Sequence, residues 1–148
     1  MTYGNLKHLV RALLIGDNVL TKVNDEILSM LDYAYDTVAN EADAMKLFIE
    51  NPTQYKIIRE GPGNQYIRRP ALPTNDSDIL DIDHELAFAV ARIMCSFISR
   101  EKTLVHLEEA KRIIRLYNEK VARFFEAQEQ YGDYSEYARY DQYGRRLI

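Results

Sequence analysis

Asp81-Ile82-Asp83-His84-Glu85-Leu86-Ala87-Phe88-Ala89-Val90-Ala91-Arg92-Ile93-Met94-Cys95-Ser96-Phe97-Ile98 is the stretch on which the fold turns. Leu86, Val90, Ile93, Met94, Phe97 and Ile98 recur every three or four residues, which gathers them on one side of an α-helix. Ala87, Ala89 and Ala91 are small enough to let other helices come close. After a break at residues 99–102, Leu107, Ala110, Ile114, Tyr117, Val121 and Phe124 repeat the three-four spacing. That is the seam of an antiparallel or coiled-coil-like helix pair. The other faces of this last helix carry Glu108, Glu109, Lys111, Arg112, Arg115, Glu119, Lys120 and Arg123, a mixed charge suited to solvent or a polar interface.

Upstream, Leu6, Leu9, Val10, Leu13 and Leu14 predict a first helix over residues 5–15, stopped by Gly16-Asp17-Asn18. A second begins near Asn24 or Asp25, where a short polar side chain can cap free amides, and buries Ile27, Met30, Leu31, Ala34 and Val38. Asn40 and Asp43 predict a further short helix holding Met45, Phe48 and Ile49, closed by Asn51-Pro52. The texture then changes. Gln54-Tyr55-Lys56-Ile57-Ile58-Arg59-Glu60, the turn Gly61-Pro62-Gly63-Asn64 and Gln65-Tyr66-Ile67-Arg68-Arg69 read as a β-hairpin. Closing it at the turn places Ile58 opposite Ile67 and Lys56 opposite Arg69. Two strands alone are marginal in water, so the hairpin must lean on helices or a partner. The expected fold class is mainly α: a small helical bundle, residues 1–127, with one hairpin insertion at about 54–70 and an extended C-terminal arm, 128–148.

The arm loses the core pattern. Tyr131, Tyr134, Tyr137, Tyr140 and Tyr143 follow one another at a strict three-residue interval, and Arg145 and Arg146 come next. A period of three faces one way in a polyproline-type helix. Tyrosine is enriched at binding interfaces, where its ring and its hydroxyl can both be satisfied. Fully extended, ~21 residues reach about 65–70 Å, against a radius of gyration of about 15 Å for the body. These seven residues are therefore the candidate partner-binding set. Lys56, Arg59, Arg68 and Arg69 are candidate hairpin contacts, a basic prong for phosphates or an acidic surface, or else charges that guard a strand edge.

The chain has 148 residues, 47% of them hydrophobic and 28% charged, which suits one compact body. Its 19 basic against 23 acidic residues argue against a dedicated nucleic-acid binder. A single cysteine, Cys95, excludes an internal disulfide and reads as a small buried hydrophobe. No apolar run approaches the ~20 residues of a membrane helix, and the first residues lack a secretory layout. Asp81, Asp83, His84 and Glu85 could suggest a metal, but they stand where a helix begins, beside its free amides and the positive end of its dipole. His84-Glu85 lacks the second histidine of a zinc-protease helix, since position 88 is Phe88. His106 and Glu109 share a helical face without a repeated partner motif elsewhere. Neither a phosphate loop nor a nucleophile elbow is present. No catalytic residue, metal site or cofactor is therefore expected.

The run from Tyr55-Lys56-Ile57-Ile58-Arg59-Glu60-Gly61 through Gln65-Tyr66-Ile67-Arg68-Arg69-Pro70 into Asp81-Ile82-Asp83-His84-Glu85-Leu86, then the alanine-bearing helix and Ile113-Ile114-Arg115-Leu116-Tyr117-Asn118, resembles the head-to-tail connector (adaptor) proteins of tailed bacteriophages. The likeness covers residues 55–125. It implies a small helical subunit that forms a ring with copies of itself, commonly twelve, beneath the portal protein. Such a ring extends the DNA channel and gives a tail or nozzle protein its platform. The C-terminal arm would dock on the portal, in the virion neck, after assembly in the host cytoplasm. Twelve copies would carry about −48 formal charge, so that DNA slides past without sequence-specific binding. The alternative expectation is a small helical regulatory module that binds one cellular partner through the same arm.

Overall fold

The computed structural model describes residues 1–14, 24–51, 53 and 55–131. The chain divides into two compact units, Met1–Asn118 and Glu119–Ile148. In order, the elements are α1 (Tyr3–Leu13), α2 (Asn24–Glu41), β1 (Phe48–Ile49), β2 (Ile57–Glu60), β3 (Tyr66–Arg68), α3 (His84–Ile98) and α4 (Thr103–Tyr131). The mainly helical class with a hairpin holds. The predicted stop at Gly16-Asp17-Asn18 lies outside the described residues.

The α3 helix is the centre of the first unit, with Leu86, Ala87, Ala89, Val90, Ala91, Ile93, Met94, Cys95, Ser96 and Ile98 all buried. A helix buried on most of its circumference has neighbours on several sides. Its closest backbone approaches are to α1 and α2 rather than to α4. The alanines admit two backbones, while Ile114 and Tyr117 hold α4 further off, so the expected tight α3–α4 seam is not the main one. Two residues leave the predicted stripes. Phe97 is 48% exposed and meets Tyr33 edge-on at 5.1 Å, and Phe124 is 43% exposed. His106, unassigned to the α4 stripe, is buried with Ala110, Ile114 and Tyr117.

The α1 helix starts two residues earlier than expected, because the Thr2 hydroxyl accepts from Asn5 N at 3.1 Å as an N-cap. The chain start is also strapped to the connector: Tyr3 N donates to Asp78 O, Gly4 N to Asp76 O and Leu80 N to Met1 O, at 2.9–3.0 Å. A side chain on Gly4 would come within 3.2 Å of Asp76 O and press on that strap, which glycine avoids. The connector is itself ordered by the Asp78 carboxylate, which accepts from Thr74 N, Thr74 Oγ1 and Asn75 N.

The predicted helix over Met45, Phe48 and Ile49 is a correction. Met45–Leu47 makes one 3₁₀ turn, and Phe48–Ile49 is a strand. Three residues cannot nucleate an α-helix, whereas an aromatic and a β-branched residue can cover the open edge of β3. The hairpin is therefore two-thirds of a three-stranded antiparallel sheet, ordered β1-β3-β2.

The hairpin register is half as expected. Ile67 opposes Arg59, not Ile58, and Glu60 opposes Tyr66, but Ile57 opposes Arg68 across a bulge between Ile57 and Arg59. The turn Pro62–Asn64 places Gly63 (φ 67°) and Asn64 (φ 60°) in the left-handed region, and Gly61 N closes on Gln65 O at 2.8 Å. That longer closure shifts the pairing by one residue, and the bulge restores it. Arg69 N then donates to Lys56 O at 2.8 Å, as the predicted pairing required. Gly63→Ala is expected to cost about 1 kcal/mol, because a Cβ disfavours this backbone region. Urea denaturation checks it.

Candidate functional site

The bulge decides what the hairpin cations do. Arg59 reaches the C-terminal end of α2, donating to Ala39 O (3.1 Å), Ala42 O (2.8 Å) and Asp43 Oδ1 (3.0 Å). A helix end leaves carbonyls without intrahelical partners and carries negative dipole charge, so a guanidinium there satisfies both. Arg68 makes a two-pronged pair with Asp81, at 2.5 and 2.8 Å, both side chains more than four-fifths buried. Asp81 Oδ2 also accepts from Ala71 N at 2.7 Å. Arg69 lies against Asp32 and Asp36 of α2, at 2.9 and 3.3 Å.

Three of the four candidate hairpin contacts are thus engaged inside the first unit, where they stitch the sheet to α2 and to the connector. The basic-prong expectation takes no account of Asp32, Asp43 and Asp81, which lie 13 to 37 residues away in sequence. Lys56 is exposed. The exposed Tyr55 ring lies 5.8 Å from the Arg68 guanidinium, close enough for a cation–π contact.

The acidic cluster before α3 is divided among different tasks. Asp83 occupies the N-cap position, but its carboxylate does not bond the α3 amides as its position predicts. It accepts instead from Lys46 N at 2.9 Å and from the Tyr117 hydroxyl. Tyr117 Oη in turn accepts from Met45 N at 3.0 Å, and Lys46 Nζ donates to Leu80 O. A single phenol therefore joins α4, the 3₁₀ turn and the start of α3. Burial, then the bond to Asp83 and its charge, push the Tyr117 pKa far up. Burial does the same to Tyr35, outweighing the opposing pull of the Asp81 backbone amide, while the Asp81 charge adds a lesser push upward. His84 stacks edge-on with Phe88 at 5.4 Å.

His106 and Glu109 do not converge. Arg92 Nη1 lies 3.1 Å from His106 Nδ1, and since a guanidinium only donates, Nδ1 is the acceptor. Glu109 pairs with Arg112 at 2.6 and 3.0 Å, which holds its carboxyl below the usual range. An open cleft of about 370 Å³ lies between α1, α3 and α4, walled by Leu9, Leu13, Phe88 and Ile113. The polar groups that line it are Glu85, Arg92, Glu109 and Arg112. The Cys95 thiol is buried and points to Val10 O at 3.7 Å.

Of the arm, Tyr131 is the last residue of α4, and Tyr134, Tyr137, Tyr140, Tyr143, Arg145 and Arg146 lie outside the described residues. Among the described residues no group of three or more His, Cys, Asp or Glu side chains is placed to hold a metal ion, and no helix is long and apolar enough to cross a membrane. No protein-family model matches this chain, and comparison with curated proteins and with solved structures gives no significant match.

Proposed function

We propose that this chain is a structural virion protein, a head-to-tail connector that forms a ring beneath the portal, extends the DNA channel and carries the tail. The observation that supports it best is the stitched body. Between Tyr55 and Asn118, the part of the first unit that resembles connectors, β2, β3, the segment before α3 and α4 are tied to their neighbours by side chains distant in sequence. Such cross-bracing suits a subunit that bears load between two larger bodies. In this reading the 128–148 segment, with Tyr131, Tyr134, Tyr137, Tyr140, Tyr143, Arg145 and Arg146, docks on the portal. Arg59, Arg68 and Arg69 serve the fold.

Native mass spectrometry of tagged protein recovered from its own source tests the proposal. A cyclic assembly of many copies bound to a second multi-copy ring is the expected result. A monomer or a one-to-one complex, recovered where virions are intact, rejects it in favour of a regulatory module. Removing residues 128–148 is expected to leave the far-ultraviolet circular dichroism of the body folded. The same deletion should weaken binding to the portal ring at least ~100-fold, as loss of several aromatic anchors does. Pull-down with the purified ring measures that loss.

A further inference from the structure

His106, in the first turn of α4, is buried, whereas His8 and His84 are exposed. Its Nδ1 accepts from Arg92 Nη1 of α3 at 3.1 Å, because a guanidinium has only hydrogens to give. The ring is therefore neutral, with its own hydrogen on Nε2. A second proton has one place to go, Nδ1, and the lone pair there is already taken by Arg92. Charging the ring and keeping the bond to α3 are mutually exclusive.

The surroundings add to the cost of a charged ring. The first turn of α4 carries the positive end of the helix dipole, and Lys102 precedes it, its carbonyl accepting from His106 N at 3.0 Å. From α3, Arg92 faces the ring, and Glu85 stands two turns before Arg92. On α4, Glu109 stands one turn beyond His106, but its carboxylate is held by Arg112 at 2.6 and 3.0 Å. The α1 helix meets this corner with Leu9 and Leu13, and its Arg11 is exposed. The Cys95 thiol of α3 turns to Val10 O. Glu85, Arg92, Glu109 and Arg112 all line the cleft walled by Leu9, Leu13, Phe88 and Ile113. A guanidinium displaced from His106 thus has two carboxylates in the same lining to move toward.

We infer that Arg92 and His106 form an acid-released latch that holds α4 against α3. With the ring neutral, the bond joins the two helices beside the cleft. An ordinary histidine takes up its proton near pH ~6.5, and the unfolded chain does so freely. The latched fold does not, so below that pH it binds fewer protons than the unfolded chain, and its stability falls as pH falls. Complete exclusion of the proton raises the unfolding constant about tenfold by pH ~5.5. A proton that does enter drives Arg92 off, loosens α4 and uncovers Leu9, Leu13, Phe88 and Ile113. The latch stands whether or not copies of the chain form a ring.

The test compares the full chain at pH ~7.5 and pH ~5.5 by NMR of the histidine ring nitrogens, urea titration and binding of an apolar dye. At the higher pH, His106 should show the neutral form with its hydrogen on Nε2. At the lower pH the unfolding constant is expected to rise several-fold, toward the tenfold of complete exclusion. Dye fluorescence should rise as well, while far-ultraviolet circular dichroism keeps its helical signal. His106→Asn puts an amide oxygen near the place of Nδ1, still accepts from Arg92 and cannot titrate. Both changes should therefore shrink to what His8 and His84 leave. Should that variant fail to fold, Arg92→Gln keeps the histidine, and its amide can donate to Nδ1 or accept from a protonated ring. Its His106 should gain a proton at higher pH than in the parent, with a smaller loss of stability. A hydrogen on Nδ1 at pH ~7.5, a parent chain equally stable at both pH values, unchanged dye binding, or a folded variant as acid-sensitive as the parent overturns the latch.

Discussion

Replacing Arg68 with alanine is expected to lower the unfolding free energy by about 3 kcal/mol, the usual loss when one partner of a largely buried ion pair is removed. The substitution leaves Asp81 buried with the Ala71 amide and more distant charges in place of a two-pronged cation. Asp81→Ala should cost a similar amount. The double variant should cost clearly less than the two singles together, since each single strands the other charge. Urea titrations of the four proteins measure the coupling. The pair also sets the acid limit. Burial raises the Asp81 pKa, but the bonds from Arg68 and Ala71 and the charges of Arg68 and Lys46 outweigh it and hold the carboxyl below its ordinary 3.8. A depressed folded pKa contributes stability above the unfolded value that is lost as pH falls through the folded one. The parent should therefore lose stability below pH 3.8, and Arg68→Ala should show a shallower acid slope there.

Alkali should unfold the protein by the opposite route. Tyr117 and Tyr35 both have phenols pushed well above their ordinary pKa of 10, chiefly by burial. Tyr3 is raised in the same direction, by burial and by the Asp76 charge. A raised folded pKa contributes stability that is complete below the unfolded value and is lost as pH rises toward the folded one. Each tenfold difference in proton affinity is worth about 1.4 kcal/mol, so two strongly raised phenols make a steep decline above pH 10. The part of the phenolate absorbance that Tyr35→Phe and Tyr117→Phe remove should rise together with the loss of circular dichroism, as ionisation of these two waits for unfolding. Tyr117→Phe is expected to flatten the decline while costing about 1–2 kcal/mol at neutral pH, because the Asp83 carboxylate and the Met45 amide lose a shared partner. If the part of the signal that those two substitutions remove runs ahead of unfolding, these hydroxyls are open to solvent.

Local pattern carried the helices. Apolar spacing located α1, α2, α3 and α4, and the run of glycine, proline and asparagine located the hairpin turn, because these features depend on neighbours within a few residues. Phe48 and Ile49 were misread for the same reason in reverse. Their strand exists only because β3 offers an open edge, a fact that lies eighteen residues downstream. The one-residue offset at Ile58 escaped because turn conformation, not turn composition, sets the register.

The candidate site divides in the same way. The tyrosine interval from Tyr131 to Tyr143 and the basic hairpin were visible as composition. What the hairpin cations meet was not visible. Asp32, Asp36, Asp43 and Asp81 come to Arg59, Arg68 and Arg69 only when α2, the connector and the sheet are assembled. A signal was present in the count of aspartates on α2 and in the connector, without any indication of pairing.

By itself, then, the sequence determined the four long helices, the hairpin turn and most of the side chains that line the core. Those outcomes follow from backbone preferences and from period, both of which are local. Only the tertiary structure decided that the arginines brace the fold and that Tyr117 ties three elements through Asp83. Ion pairs and exposed faces depend on which segments meet, and packing the whole core sets that.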